Sequence, residues 1–84
     1  MKIQYSKQAI KYLDKCDPQT YARLTDAIEG LLAGRGDIVK LQGRQDDLYR
    51  LKKPPYRIIF RVDATLNEIY IEGVYPRGDA YKKG

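Results

Sequence analysis

The chain has 84 residues, enough for one small domain, and its 43% hydrophobic and 32% charged residues are typical of a globular protein. It contains no histidine, which excludes His-based catalytic triads and argues against most zinc and iron sites. A single cysteine, Cys16, and an N-terminus without an apolar signal core favour a cytoplasmic location. Because no apolar run exceeds three residues and no glycine-rich phosphate loop is present, we expect no membrane contact, no cofactor and no metal.

The chain begins with the pattern of a short strand followed by a helix. Residues 3–5 alternate between apolar and polar, which predicts the strand. Ser6 is a good N-cap, because its hydroxyl can accept a hydrogen bond from a free amide of the first helical turn. The helix is predicted over 7–15, with Ile10 and Leu13 on one face.

A second helix is predicted to begin at Asp17-Pro18, with aspartate as the N-cap and proline in the first helical position. It is expected to run to about residue 33 and to end at Gly34 and Gly36. Apolar residues at helical spacing form one stripe along it: Tyr21, Leu24, Ile28, Leu31 and Leu32. Because the link between the helices is only one or two residues long, an antiparallel helix hairpin is predicted.

From residue 48 onward the apolar period changes from 3.6 to 2, which predicts strands. We expect strands over 48–53, 56–63 and 68–75, separated by Pro54-Pro55 and by a turn at 64–67. Connections as short as these predict an antiparallel meander.

Alternation along these strands separates an apolar face from a basic face. One side of the second strand of the meander carries only apolar side chains: Tyr56, Ile58, Phe60 and Val62. The helix hairpin is the only element available to cover them. We therefore predict one α+β domain over 1–84, in which an N-terminal strand and a two-helix antiparallel hairpin pack on one face of a small antiparallel β-sheet. The uncovered face carries Arg50, Lys52 and Arg57.

Basic residues concentrate in the second half of the chain. Residues 1–38 carry six basic and five acidic residues, net +1, whereas 39–84 carry ten and six, net +4. Cations clustered on one sheet face suit a phosphate backbone, so RNA, DNA or an acidic protein segment is the expected partner. The alternative interpretation is an ordinary solvated face, flanked by Asp46, Asp47 and Glu72.

The segment after the last predicted strand is a second source of candidate site residues. A turn at Pro76 and Gly78 could carry Arg77 and Tyr81 back to the rim of the basic face. Alternatively, Tyr81 packs on the edge of the core.

Several motifs occur in a fixed order along nearly the whole chain: Ile3-Gln4-Tyr5-Ser6 with Ala9, the helix hairpin, Lys40-Leu41-Gln42-Gly43, Leu48-Tyr49-Arg50-Leu51, residues 56–62 and residues 76–81. In these motifs and their order, the sequence resembles the RelE/ParE superfamily of type II toxin–antitoxin toxins, and it is more similar to the RelE branch of that superfamily. The resemblance implies a RelE-like toxin domain that cleaves messenger RNA in the ribosomal A site. It also implies that the activity needs no metal or cofactor and that a cognate antitoxin inhibits it.

The resemblance also implies site residues by position. Those expected to be catalytic are Lys52, Arg57, Arg77 and Tyr81. Those expected to bind RNA or phosphate are Arg50, Lys53, Arg61, Lys82 and Lys83. Arg50 stands where RelE has a lysine, which suits it to holding phosphate rather than to moving a proton.

Such a set can cut RNA without histidine, because the 2′-hydroxyl of RNA can attack the adjacent phosphate. Arg50 and Arg57 suit the extra phosphorane charge, and Lys52 is the expected general base because neighbouring cations favour the neutral form of a lysine. Arg77 could stabilise or protonate the leaving oxygen, and Tyr81 could stack on a base or orient the sugar.

Two other functions stay open at this point. One is a ParE-like poison of DNA gyrase that acts by protein contact without nuclease chemistry. The other is a catalytically degenerate module that only binds its antitoxin, an interpretation that the arginine at position 50 leaves open.

Overall fold

The chain folds into one five-stranded sheet with two helices, and a computed structural model describes its residues 1–41 and 48–76. In chain order the elements are β1 Lys2–Tyr5, α1 Lys7–Asp14, α2 Pro18–Gly30, a 3₁₀ turn Leu31–Ala33, β2 Asp37–Lys40, β3 Leu48–Lys53, β4 Tyr56–Asp63 and β5 Glu68–Pro76. Across the sheet the order of the described strands is β1-β5-β4-β3-β2. The predicted α+β class is therefore confirmed.

The sheet is mixed rather than antiparallel, which corrects the prediction. Strands β2 to β5 pair antiparallel, but β1 pairs parallel to β5, with Ile3 opposite Ile69. The prediction relied on short turns, and these fix only the directions of β3, β4 and β5. Strand β1 is separated from its partner by the helices and most of the sheet, so no turn sets its direction.

Strand β2 was not predicted. Its residues Ile38 and Val39 are β-branched, which favours a strand, but neither is buried. All four residues of β2 are exposed, so the strand lacks the alternation that identified the others. Among the described strands it pairs only with β3, which places it at an edge of the sheet.

Both helices contribute to one core with a single face of the sheet. Its largest fully buried side chains are Leu24, Ile28, Leu51, Ile58, Ile71 and Val74. Both predicted caps form: the Ser6 hydroxyl accepts from the Ala9 amide at 3.1 Å, and the Asp17 carboxylate accepts from the Thr20 amide at 3.1 Å. The hydrogen bonds from Thr20, first from its side chain and then from its amide, lower the pKa of the Asp17 carboxyl.

Three residues of the predicted apolar helix faces are exposed rather than buried. Ile10 is 49% exposed, because α1 buries Ala9 and Leu13 and the residue after Ala9 points away from that face. Leu32 is 50% exposed, because the α-helix ends at Gly30 and its period does not continue through the 3₁₀ turn. Tyr21 is 47% exposed, although it falls at helical spacing before the buried part of α2.

The start of α1 completes the hydrogen bonding of β5 where β1 ends. Strand β1 pairs with β5 only as far as Ile71. Beyond it, the Ser6 hydroxyl donates to the Glu72 carbonyl at 2.6 Å. The Gln8 side-chain amide donates to the Val74 carbonyl, and its oxygen accepts from the Val74 amide, both at 2.9 Å. The Gln8 side chain therefore supplies both hydrogen bonds that a neighbouring strand would form with the backbone of the buried Val74.

We expect Gln8→Ala to lower the free energy of unfolding by about 1–3 kcal/mol, because both backbone groups of Val74 lose their partner. Urea unfolding of the wild type and the variant measures this loss. Gln19→Ala is the matched control, since Gln19 is an exposed glutamine in the first turn of α2. Equal losses in the two variants would contradict the role given to Gln8.

Candidate nucleic-acid interface

Three neighbouring cations on the sheet face opposite the helices, Arg50, Lys52 and Arg57, together form what we call the basic face. Arg50 and Lys52 alternate with the buried Leu51 on β3, so both point away from the core. Lys52 lies directly opposite Arg57 on β4 and, on its other side, opposite Asp37 on β2. Cross-strand neighbours of this kind have Cβ atoms about 5 Å apart, and like charges there oppose folding.

A cleft adjoins this pair of cations. Its volume is about 410 Å³, and its lining residues are Lys52, Pro54, Pro55, Tyr56 and Arg57. The two prolines restrict the backbone between β3 and β4, so this wall of the cleft has little conformational freedom. Arg50 is half-buried, and its Nε atom is out of contact with solvent. The basic face is therefore an ordered group of cations beside an open space.

Arg61 lies on the same face but in a different environment. It is four residues from Arg57 on β4, which corresponds to about 13 Å along a strand. Its Nε atom is 2.5 Å from a carboxylate oxygen of Glu72, and its guanidinium carbon lies 5.2 Å from the ring centroid of Tyr70. Because the carboxylate balances its charge, Arg61 is a weaker candidate for phosphate binding than the sequence predicted.

Lys53 is not part of the basic face. Lys53 lies opposite Tyr56, on the alternate side of β3 from Arg50, and it lines a groove with Asp26. Four further candidates lie outside the described residues: Arg77, Tyr81, Lys82 and Lys83. The two acidic residues that precede β3 in sequence, Asp46 and Asp47, also lie outside them. The roles of those four candidates stay predictions.

A larger groove at the opposite edge of the sheet has the wrong charge for a phosphate. It measures about 770 Å³ and lies between β1 and the end of α2, with Tyr5, Asp26, Glu29 and Arg35 among its lining residues. Burial, followed by the nearby Glu29 carboxylate, raises the pKa of the Tyr5 hydroxyl. The Asp26 and Glu29 carboxylates of this groove would repel a polyanion. We therefore place the candidate site at the smaller cleft beside the basic face.

Two aromatic residues on the open side of β5, Tyr70 and Tyr75, were missed by reasoning from sequence. They share that side because β5 contains a bulge, at which Ile59 is opposite Gly73 and Phe60 is opposite Ile71. The signal was present in the sequence, since the core residues of β5 are spaced by two and then by three: Ile69, Ile71 and Val74. Strict alternation cannot assign faces across such a bulge.

Metal ligands do not cluster in the part of the chain that the structure describes. Within residues 1–41 and 48–76, no group of three or more His, Cys, Asp or Glu side chains is arranged to hold a metal ion. None of the helices described has the length and apolar character needed to cross a bilayer.

Solved structures with the same fold are toxins and toxin–antitoxin complexes. A chain of the archaeal RelE–RelB complex from Pyrococcus horikoshii OT3 is 29% identical, with 93% of this chain and 96% of that chain covered at a TM-score of 0.75. The isolated E. coli RelE toxin is 21% identical, covering 96% and 90% at a TM-score of 0.68. The YoeB dimer from Staphylococcus aureus is also 21% identical, covering 89% and 94% at a TM-score of 0.70. No protein-family model and no curated protein matches the chain.

These similarities define the class. Two helices on one face of a five-stranded mixed sheet form the fold of the RelE and YoeB toxins. More particularly, the resemblance to RelE-like toxins that the ordered sequence motifs indicated is confirmed, since RelE chains from an archaeon and a bacterium align with nearly the whole chain.

Proposed function

We propose that this protein is the toxin of a type II toxin–antitoxin system and that it inhibits translation by cutting messenger RNA in the ribosomal A site. The observation that carries the proposal is the placement of Lys52 directly opposite Arg57, with Arg50 on the same face of a RelE-like sheet. Asp37 on β2 is the other cross-strand neighbour of Lys52, so the three cations of the basic face outnumber this one carboxylate, and a phosphate can bind to the cations. A polyanion is therefore the ligand that this face suits best.

The proposed reaction is a transesterification within the RNA. The 2′-oxygen forms a bond to the adjacent phosphorus, and the bond from phosphorus to the 5′-oxygen breaks. Lys52 accepts the proton of the 2′-hydroxyl, while Arg50 and Arg57 balance the negative charge that develops on the phosphate. The products are a 2′,3′-cyclic phosphate and a 5′-hydroxyl. The leaving 5′-oxygen takes up a proton to become this hydroxyl, and Arg77, outside the described residues, is the proposed group that stabilises or protonates it.

The test uses ribosomes programmed with a short message and an empty A site. The proposal expects a cut within the A-site codon, without added metal, and an upstream fragment that ends in a 2′,3′-cyclic phosphate by mass spectrometry. A message with a 2′-deoxy sugar at the cut position should resist cleavage, because it lacks the attacking oxygen. Efficient cutting of that message would contradict the mechanism.

The same experiment separates the alternative functions. An intact message together with accumulating gyrase–DNA breaks would indicate a ParE-like poison. An intact message without gyrase breaks would indicate a module that only binds an antitoxin.

The proposed role of Lys52 has its own test. A general base acts in its neutral form, so activity rises with pH until the base is fully deprotonated. We expect Lys52→Ala to flatten this rising limb of the pH–rate profile as well as to lower the rate. A lowered rate with an unchanged profile would leave Lys52 as a phosphate ligand and assign the proton transfer elsewhere.

We further propose a cognate antitoxin as the protein partner and the cytoplasm as the site of action. The similar P. horikoshii chain was solved in a RelE–RelB complex. Acidic residues of a partner would reduce the repulsion on the basic face and would exclude phosphate from it. Co-expression with the product of the adjacent reading frame should yield a stable complex and relieve growth arrest, and failure of both would contradict this partner.

A further inference from the structure

The bulge in β5 places two consecutive residues on the open side of the sheet. Ile71 and Val74 are both fully buried in the core, and two residues, Glu72 and Gly73, lie between them. In a regular strand only one residue would separate two core positions. Glu72 forms the ion pair with Arg61, whereas Gly73 adds no side chain to this face.

The space above Gly73 is filled by the ring of Tyr75. A Cβ atom built on Gly73 would lie 2.5 Å from Oη and 2.7 Å from Cε2 and Cζ of Tyr75, so the ring occupies the place of a side chain. Gly73 is buried under it, while Tyr75 itself is half-buried. One side of the ring therefore contacts the backbone of β5, and part of the ring stays open to solvent.

Tyr75 is also the cross-strand neighbour of Arg57. The two residues are directly opposite in the antiparallel register of β4 and β5, and Arg57 is in turn opposite Lys52 on β3. These side chains form one row across the sheet, which runs from the aromatic ring through the two cations to Asp37, the neighbour of Lys52 on β2. Such a row offers stacking for a base and charge for its phosphate, the two features that proteins use to hold single-stranded RNA.

We propose that Tyr75 is a substrate-contacting residue whose ring stacks on a base of the RNA next to the phosphate held by Arg57. This inference rests on the proposed function of the basic face. It assigns Gly73 the role of a positioning residue, because only a residue without a side chain leaves room for the ring to lie flat at this point.

The experiment measures single-turnover cleavage on programmed ribosomes as a function of toxin concentration. Tyr75→Ala should weaken the apparent affinity for the ribosome-bound message by about 10- to 100-fold, as expected for the loss of one stacking contact. Tyr75→Phe should restore most of that loss, since it keeps the ring. Gly73→Ala should resemble Tyr75→Ala, because the added methyl group displaces the ring from the backbone. Tyr21→Ala, at an exposed tyrosine of α2, is the control for a general loss of aromatic surface.

A message with one abasic nucleotide distinguishes stacking from a structural role. In the wild type, one abasic position in the A-site codon should cost as much affinity as Tyr75→Ala does, and in the variant that position should cost nothing further. If Tyr75→Ala loses affinity equally for every abasic message, or loses none, the inference is wrong. If Tyr75→Ala does not fold, Gly73→Ala is tested against the same abasic messages, and the same results are expected of it.

The two proposals fail in different ways. Cleavage by the wild type that depends on Arg57 but not on Tyr75 or Gly73 would overturn only the stacking inference. A wild-type protein that leaves the message intact would overturn the proposed function and the inference together.

Discussion

Arg57→Ala is expected to slow message cleavage by about 10²- to 10³-fold, because the substitution removes one of the groups proposed to balance charge on the reacting phosphate. The unfolding midpoint in urea should stay nearly unchanged, since the substitution removes the repulsion from the opposite cation, Lys52, together with the favourable contacts that Arg57 makes. Quenched-flow assays on programmed ribosomes measure the rate, and urea titration measures the stability.

Arg23→Ala is the matched control for the loss of one arginine, because Arg23 is exposed on α2, in the layer on the other side of the sheet. It should alter neither the rate nor the midpoint. An unfolded Arg57→Ala protein would show that Arg57 supports the core, and an equal loss of rate in both variants would show that only net charge matters.

Ile58→Ala is expected to lower the free energy of unfolding by about 2–5 kcal/mol, because it empties part of a fully buried site. Ile58 lies between Leu51 on β3 and Val74 on β5 in the sheet register. Its loss therefore leaves a cavity at the centre of the sheet, under the basic face. For a domain of this size the loss is a large part of the total stability.

Ile10→Ala makes the same chemical change at a residue that is 49% exposed. It should shift the free energy of unfolding by no more than about 0.5 kcal/mol. Urea or thermal unfolding of both variants measures the contrast. Similar losses in the two proteins would contradict the burial assigned to Ile58 and to Ile10.

The features that the sequence predicted well are those that depend on neighbouring residues. The bounds of β3 and β4 agree with the predicted 48–53 and 56–63, because alternation and two adjacent prolines mark them. Both helix caps depend on a side chain and an amide three residues later. The left-handed stop at Gly34, with φ of 73°, is likewise a local feature.

The features that the sequence did not predict depend on residues far apart in the chain. Nothing near β1 shows that it will pair parallel to β5, and nothing near β2 supplies the buried face that identifies a strand. The residue at which the buried stripe of α2 ends can be predicted only if the point where the α-helix changes to a 3₁₀ turn is known.

The candidate site was predictable only where it depends on residues that are close together in the chain. The short turn between β3 and β4 sets their register, so the proximity of Lys52 and Arg57 follows from local sequence. The position of Tyr75 depends on the bulge in β5, because strict alternation from the buried Ile71 would place Tyr75 on the core side. A bulge depends on the pairing of two strands. If β5 is taken as a regular strand, its sequence therefore does not predict that the Tyr75 ring lies beside Arg57.

The position of β5 inside the sheet has a consequence for the synthesis of the protein. Strand β5 lies between β1 and β4, and its Val74 is bound by Gln8, which precedes it by 66 residues. At translation rates of about 5–20 residues per second, the start of the chain waits roughly 3–13 s for this partner to emerge. Until then β1 and α1 lack the strand on which they pack. We therefore expect the fold, and with it the proposed RNA-binding surface, to form only after β5 has emerged from the ribosome.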